Sequence, residues 1–142
     1  MPKLVIIYGT SMRNTELVAR AIEEGAIREG VETLLKNVND ASTNDILNAD
    51  AVAIGSPNYR DAMMPTVKKF LKNLACIDLR GRVGLAFGSY GWGLEAIDDI
   101  HNILLSYGME MVQDCGVKGK PEDDELDECR RVGSQIARKI KE

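Results

Sequence analysis

The sequence predicts an α/β domain: a three-layer sandwich in which a five-stranded parallel sheet carries helices on both faces. Three observations predict it. Five short runs rich in apolar residues recur along the 142 residues, each of strand length. Between them lie segments whose apolar residues recur at helical spacing. Strict alternation of the two makes right-handed crossovers, which lay strands parallel and helices on both faces. No linker, repeat or low-complexity stretch interrupts the pattern, so residues 1–142 read as one domain.

Each element has its own signal. Residues 3–8 form a continuous apolar run ending at Gly9, as suits a strand buried on both faces. From Asn14 onward Leu17, Val18, Ala21, Ile22, Gly25 and Ala26 share one helical face, and Gly30 stops that helix. A second strand over 31–38 is less apolar, which places it nearer an edge. Ser42 or Thr43 caps a short helical turn through Leu47. The third strand, 51–54, ends at Gly55, Ser56 and Pro57. Pro65 opens a helix with Val67, Phe70, Leu71 and Leu74 inward. The fourth strand, 83–87, ends at Gly88 and Ser89. Ile97, Ile100, Leu104 and Tyr107 line the next helix, closed by Gly108. Residues 109–117 read as one fifth strand, and Pro121 opens a last helix with Leu126, Cys129, Ile136 and Ile140 inward.

Composition narrows the function classes. Hydrophobic residues are 44% and charged residues 28%, a folded balance. A net charge of −4 does not suit a phosphate backbone, so nucleic acid is not an expected partner. One histidine, His101, excludes most His-built metal sites. Cys76, Cys115 and Cys129 form no CxxC pair, and three thiols with no targeting segment ahead of the first strand read as reduced and cytoplasmic. No apolar run approaches the ~18 residues of a membrane span.

In open parallel sheets ligands bind beyond the carboxyl ends of the strands. Function is therefore expected in the loops after Tyr8, Ile54 and Phe87. The first holds Gly9, Thr10, Ser11, Met12, Arg13, Asn14 and Thr15. Hydroxyls, an amide and the free N–H groups of a helix start can hold a phosphate without a lysine. The same residue types also serve as plain helix caps. It is neither a Walker loop nor GxGxxG. The second loop reads Ser56, Pro57, Asn58, Tyr59, Arg60, Asp61, and the third reads Ser89, Tyr90, Gly91, Trp92, Gly93. A tryptophan between glycines at a strand end is poorly placed for the core and well placed to stack on a flat ligand. A phosphate cradle beside an aromatic slot suggests a mononucleotide, and composition alone does not choose flavin over adenine.

Residues 87–93, Gly55-Ser56-Pro57 with Pro65, Asn14-Thr15-Glu16 with Ala19 and Ile22, and the last helix together resemble the flavodoxins over nearly the whole chain. The likeness is to short-chain flavodoxins of the clostridial kind and to the flavodoxin domain of flavodiiron proteins. It implies the flavodoxin-like strand order 2-1-3-4-5 and FMN as a non-covalent cofactor. It implies a low-potential carrier shuttling single electrons between redox enzymes rather than an enzyme. The partners implied are redox proteins, a flavodiiron-type or iron-sulfur enzyme among them, and a small carrier that must expose its flavin edge is expected to be a monomer. On matching positions, Thr10, Ser11, Met12, Arg13, Asn14 and Thr15 would surround the FMN phosphate. Ser56, Pro57, Asn58, Tyr59, Arg60 and Asp61 would border one side of the isoalloxazine. Trp92 would stack on or edge the ring, and Ser89, Tyr90, Gly91 and Gly93 would complete the pocket. No residue is expected to be catalytic or to bind metal.

Two departures stand out. Many flavodoxins have Thr and Gly where this chain has Met12 and Arg13. Short-chain members usually keep a glycine in the second loop, whose peptide turns on reduction toward flavin N5. Residues 56–61 hold none, and Asn58 is the residue there most able to adopt positive φ. Asp61, Glu95, Asp98 and Asp99 would make the reduced flavin a stronger reductant and steer basic partners. The runner-up is a small flavin-dependent quinone reductase. A phosphoacceptor receiver lacks its aspartates here, and a low-molecular-weight phosphatase lacks its cysteine loop.

Overall fold

The computed structural model describes residues 2–10 and 12–142. Among them, the sheet comprises β1 (Lys3–Tyr8), β2 (Glu32–Asn37), β3 (Ala51–Gly55), β4 (Val83–Tyr90), β5 (Glu110–Met111) and β6 (Cys115–Lys118). The helices are α1 (Asn14–Arg28), α2 (Pro65–Asn73), α3 (Glu95–Ser106) and α4 (Asp123–Lys141). Every pairing is parallel and the order is β2-β1-β3-β4-β5, with β6 continuing beside β4. The flavodoxin-like order and the edge position of β2 are as the sequence predicts.

Alternate strand residues feed two cores. Leu4, Ile6, Leu85 and Phe87 pack under α1 and α4, whereas Val5, Ile7, Val52 and Ile54 pack under α2 and α3. Fully burying each such side chain contributes roughly 1.5–3 kcal/mol. The predicted stripes supply the helical side: Val18, Ile22 and Ala26 of α1, and Cys129 and Ile136 of α4, are buried. The contact between α1 and α4 is unusually close. An ideal Cβ on Gly25 would lie 1.8 Å from the Arg130 carbonyl oxygen, and one on Gly133 would lie 1.9 Å from that of Ile22. The two glycines let the backbones touch, each against the other helix. Glu29, just past α1, then gathers the end of α4. It accepts from Ser134 Oγ at 2.6 Å and from Arg138 Nη2 at 3.2 Å, while Lys141 Nζ donates to its carbonyl at 2.7 Å.

The single fifth strand expected over 109–117 is corrected by the structure. Gly84 faces Met111 and Phe87 faces Cys115, so three steps along β4 match four along its neighbour. One extra residue is accommodated as a bulge. Within the irregular stretch, Asp114 Oδ1 lies 2.7 Å from Nδ1 of His101 on α3. No helix among the described residues is long and apolar enough to cross a membrane.

Candidate functional site

The three loops singled out by the sequence meet at the carboxyl edge of the sheet. Between them lies a cavity of about 320 Å³, within the range of small-molecule sites. Thr10, Met12 and Asn14 line it from the first loop, Pro57, Asn58 and Tyr59 from the second, and Ser89, Tyr90 and Gly91 from the third.

The first loop is shaped by crowding. The Gly9 N–H donates to the Gly55 carbonyl at 3.0 Å, and a Cβ on Gly9 would meet Val67 Cγ2 at 2.7 Å. Lack of space, rather than a left-handed backbone, requires glycine there. Arg13 takes the left-handed conformation instead, with φ of 68°. Its guanidinium lies 3.7 Å from the Glu16 carboxylate. Helix α1 begins at Asn14, and the side chain of its N-cap residue, Arg13, makes no capping bond to the first N–H groups. Thr10 Oγ1 is buried and has no hydrogen-bond partner among the described residues. Thr15 is fully buried beneath the loop, its hydroxyl 2.8 Å from that of Ser89. Ser11 lies outside the described residues. Tyr8, at the end of β1, has its phenol pushed above the usual value by burial and, secondarily, by the Glu16 carboxylate.

The second loop is tied at both ends. The Met64 N–H donates to Ser56 Oγ at 2.9 Å, and Ser56 Oγ donates to the Pro57 carbonyl at 2.8 Å. Tyr59 and Ala62 exchange backbone bonds of 2.7 and 3.1 Å across a two-residue turn. Its central residues, Arg60 and Asp61, have φ of 52° and 62°. Left-handed φ at both central positions is the pattern of a type I′ hairpin turn. Positive φ in this loop thus falls on Arg60 and Asp61, and not on Asn58, the residue most able to adopt it. Asn58 is instead a clamp. Its N–H donates to Ser89 O at 2.8 Å, Nδ2 donates to Trp92 O at 2.7 Å, and Oδ1 accepts from the Ala96 N–H at 2.9 Å. Those three bonds lock the second loop to the third and to the start of α3. Arg60 lies over the Tyr59 ring at 5.5 Å.

In the third loop Trp92 stands 84% exposed, with the Lys118 ammonium 5.7 Å from its ring. An aromatic face that open does no packing in the core. Arg13, Thr15, Ser56, Arg60, Asp61, Trp92 and Gly93 flank the cavity's loops without lining it. Gly119 lines it and was not singled out by the sequence; its N–H donates to Tyr90 O at 2.8 Å, which brings the end of β6 against the site. Its only sequence signal is a glycine after the last strand.

Fold and site together define a doubly wound α/β protein with a cleft at its switch point. The chain belongs to the flavodoxin family, whose family model matches residues 6–133. It superimposes on a flavodoxin from the domain Archaea with a TM-score of 0.95 and 31% identity, covering 99% of each chain. It matches the flavodiiron core Flv1 of Synechocystis with a TM-score of 0.92 and 26% identity, over 99% of this chain and 36% of that one. It is 34% identical to a nitric oxide reductase of Moorella thermoacetica over 144 residues, 97% of this chain and 36% of that protein. The chain spans only 28–36% of the length of the curated relatives it matches.

Proposed function

We propose that this chain holds FMN non-covalently in the cleft and shuttles single electrons between redox proteins at low potential. One observation carries the reading: the buried Thr10 hydroxyl has no partner among the described residues and lies beside a helix start that its N-cap residue, Arg13, does not cap. A buried hydroxyl without a partner costs roughly 1–3 kcal/mol, so such a group is tolerated where a ligand completes it. A phosphate dianion supplies the acceptor that Thr10 Oγ1 and the first N–H groups of α1 need, favoured by the helix dipole.

FMN, when bound, supplies the one-electron chemistry. The chain's part is to hold and to bias. Thr10, Ser11, Met12, Arg13, Asn14 and Thr15 would form the phosphate cradle. Asn58 fixes the distance between the second and third loops, so Tyr59, Tyr90 and Trp92 would flank a flat ring from prepared positions. The carboxylates of Asp61, Glu95, Asp98 and Asp99 oppose added negative charge and attract basic partners.

The match to a nitric oxide reductase, which this chain covers only in part, favours an oxygen- or nitric-oxide-reducing enzyme as the electron acceptor. The test is an absorbance spectrum of the purified protein, FMN release on denaturation, and stepwise anaerobic reduction. A two-band flavin spectrum with FMN released supports the reading. A colourless protein that refuses added FMN refutes it. Rapid turnover of quinone with a nicotinamide donor would instead make it a reductase.

A further inference from the structure

Away from the cleft, the fold joins two cysteines that the sequence keeps 14 residues apart. Cys115 opens β6 and Cys129 sits on α4. Their sulfurs are 3.3 Å apart, the Cys115 thiol donating to Cys129. The side chains are only 6% and 1% exposed, yet both line a cavity of about 270 Å³. Asp114, Glu125 and Glu128 also line it. Nothing in the electron-carrier reading uses this pair.

We infer that Cys115 and Cys129 are a reversible dithiol–disulfide site whose oxidant is a small neutral hydroperoxide. Geometry leaves little to move, since ~1.3 Å separates the present contact from a bond of ~2.0 Å. The cavity is too small for a peptide disulfide, and its three carboxylates repel anionic oxidants. The hydrogen bond from Cys115 also holds the Cys129 thiol below its usual range, while that bond and burial push Cys115 up. Cys129 is therefore the first nucleophile. Its thiolate attacks one peroxide oxygen, breaking the O–O bond, forming a sulfenic acid and releasing hydroxide. The Cys115 sulfur then attacks the sulfenic sulfur. Its proton and the departing hydroxyl leave as water. Two thiols are oxidised by two electrons, and one hydrogen peroxide becomes two waters. The bridge would fasten α4 to β6, the strand that braces Phe87–Tyr90 of β4.

The experiment uses the full chain as purified, carrying Cys76→Ser to remove the exposed third thiol. It is treated with a few equivalents of hydrogen peroxide, denatured and assayed for free thiols, then digested for mass spectrometry. The expected result is loss of both remaining thiols, a mass lower by two hydrogens, a Cys115–Cys129 linked peptide and full recovery with dithiothreitol. The melting temperature of the oxidised form should rise by on the order of 5–10 °C, since the bridge closes a short loop. Two thiols still titratable, or oxygen added at either cysteine without a link, would overturn the inference.

Discussion

Replacing Thr10 with valine separates the two roles a buried hydroxyl can have. The substitution keeps the shape and removes one polar atom. In the ligand-free protein that atom has no partner among the described residues, so its desolvation cost of roughly 1–3 kcal/mol is removed as well. The FMN-free Thr10→Val protein should therefore be about 1 kcal/mol more stable in urea. In the complex the same atom would donate to a phosphate oxygen, a charge-assisted bond contributing roughly 1.5–3 kcal/mol. Its loss should raise the FMN dissociation constant about 10- to 100-fold. Flavin fluorescence titration measures this directly. Riboflavin, which lacks the phosphate, should bind both proteins equally. The opposed signs are what make the test sharp. If the variant is less stable without ligand, or if riboflavin and FMN weaken together, the hydroxyl is structural and the phosphate assignment fails.

Other substitutions probe separate links. Gly133→Ala gains about 1 kcal/mol of helix propensity. It also drives a Cβ to 1.9 Å from the Ile22 carbonyl oxygen, so α1 and α4 must part. The net loss should be about 2 kcal/mol or more in urea unfolding, and a more stable variant would contradict the close helix contact. Asp61→Gly removes the strain of a left-handed non-glycine residue and should stabilise the turn by roughly 1 kcal/mol, read as a higher melting temperature. The Ser134 hydroxyl, then Arg138, holds the Glu29 carboxyl at about 2, below its usual 4.5. Between those values the unfolded chain binds the extra proton, so this group's stabilisation is complete above about pH 4.5 and is lost as pH falls toward 2. Thermal melts of Glu29→Gln should show a flatter acid limb, and superimposable profiles would remove Glu29 from the account. Arg60→Glu should make the final reduction potential more negative by on the order of tens of millivolts, measured by redox titration.

Much of this was legible beforehand because buried strands and amphipathic helices write their periods plainly. Lys3–Tyr8 reads as a strand since all but its first residue are buried. The three site loops follow from strand ends, so their location needs only the alternation of elements. What stayed hidden depends on neighbours distant in the chain. Nothing local to 112–114 announces a bulge, and the side-chain partner of Asp114 is His101 on another element. Asn58 looked like a residue free to turn, but three bonds to Ser89, Trp92 and Ala96 hold it, and the turn moves to Arg60 and Asp61. Gly9 looked like a turn residue and is one that Val67 leaves no room to enlarge. The approach of Cys115 to Cys129 likewise needs the register of β6 against α4.

The broken fifth strand also bears on how these molecules behave in a crowd. An open parallel sheet has two free margins, and a long regular margin invites another chain to add itself by backbone pairing. Here one margin is split into pieces of two and four residues, offset by one position. A visiting strand that registers with the first piece is out of step with the second. The residue that perturbs the ladder thereby discourages edge-to-edge pairing into fibres, and deleting it would lengthen the margin on which such pairing could begin.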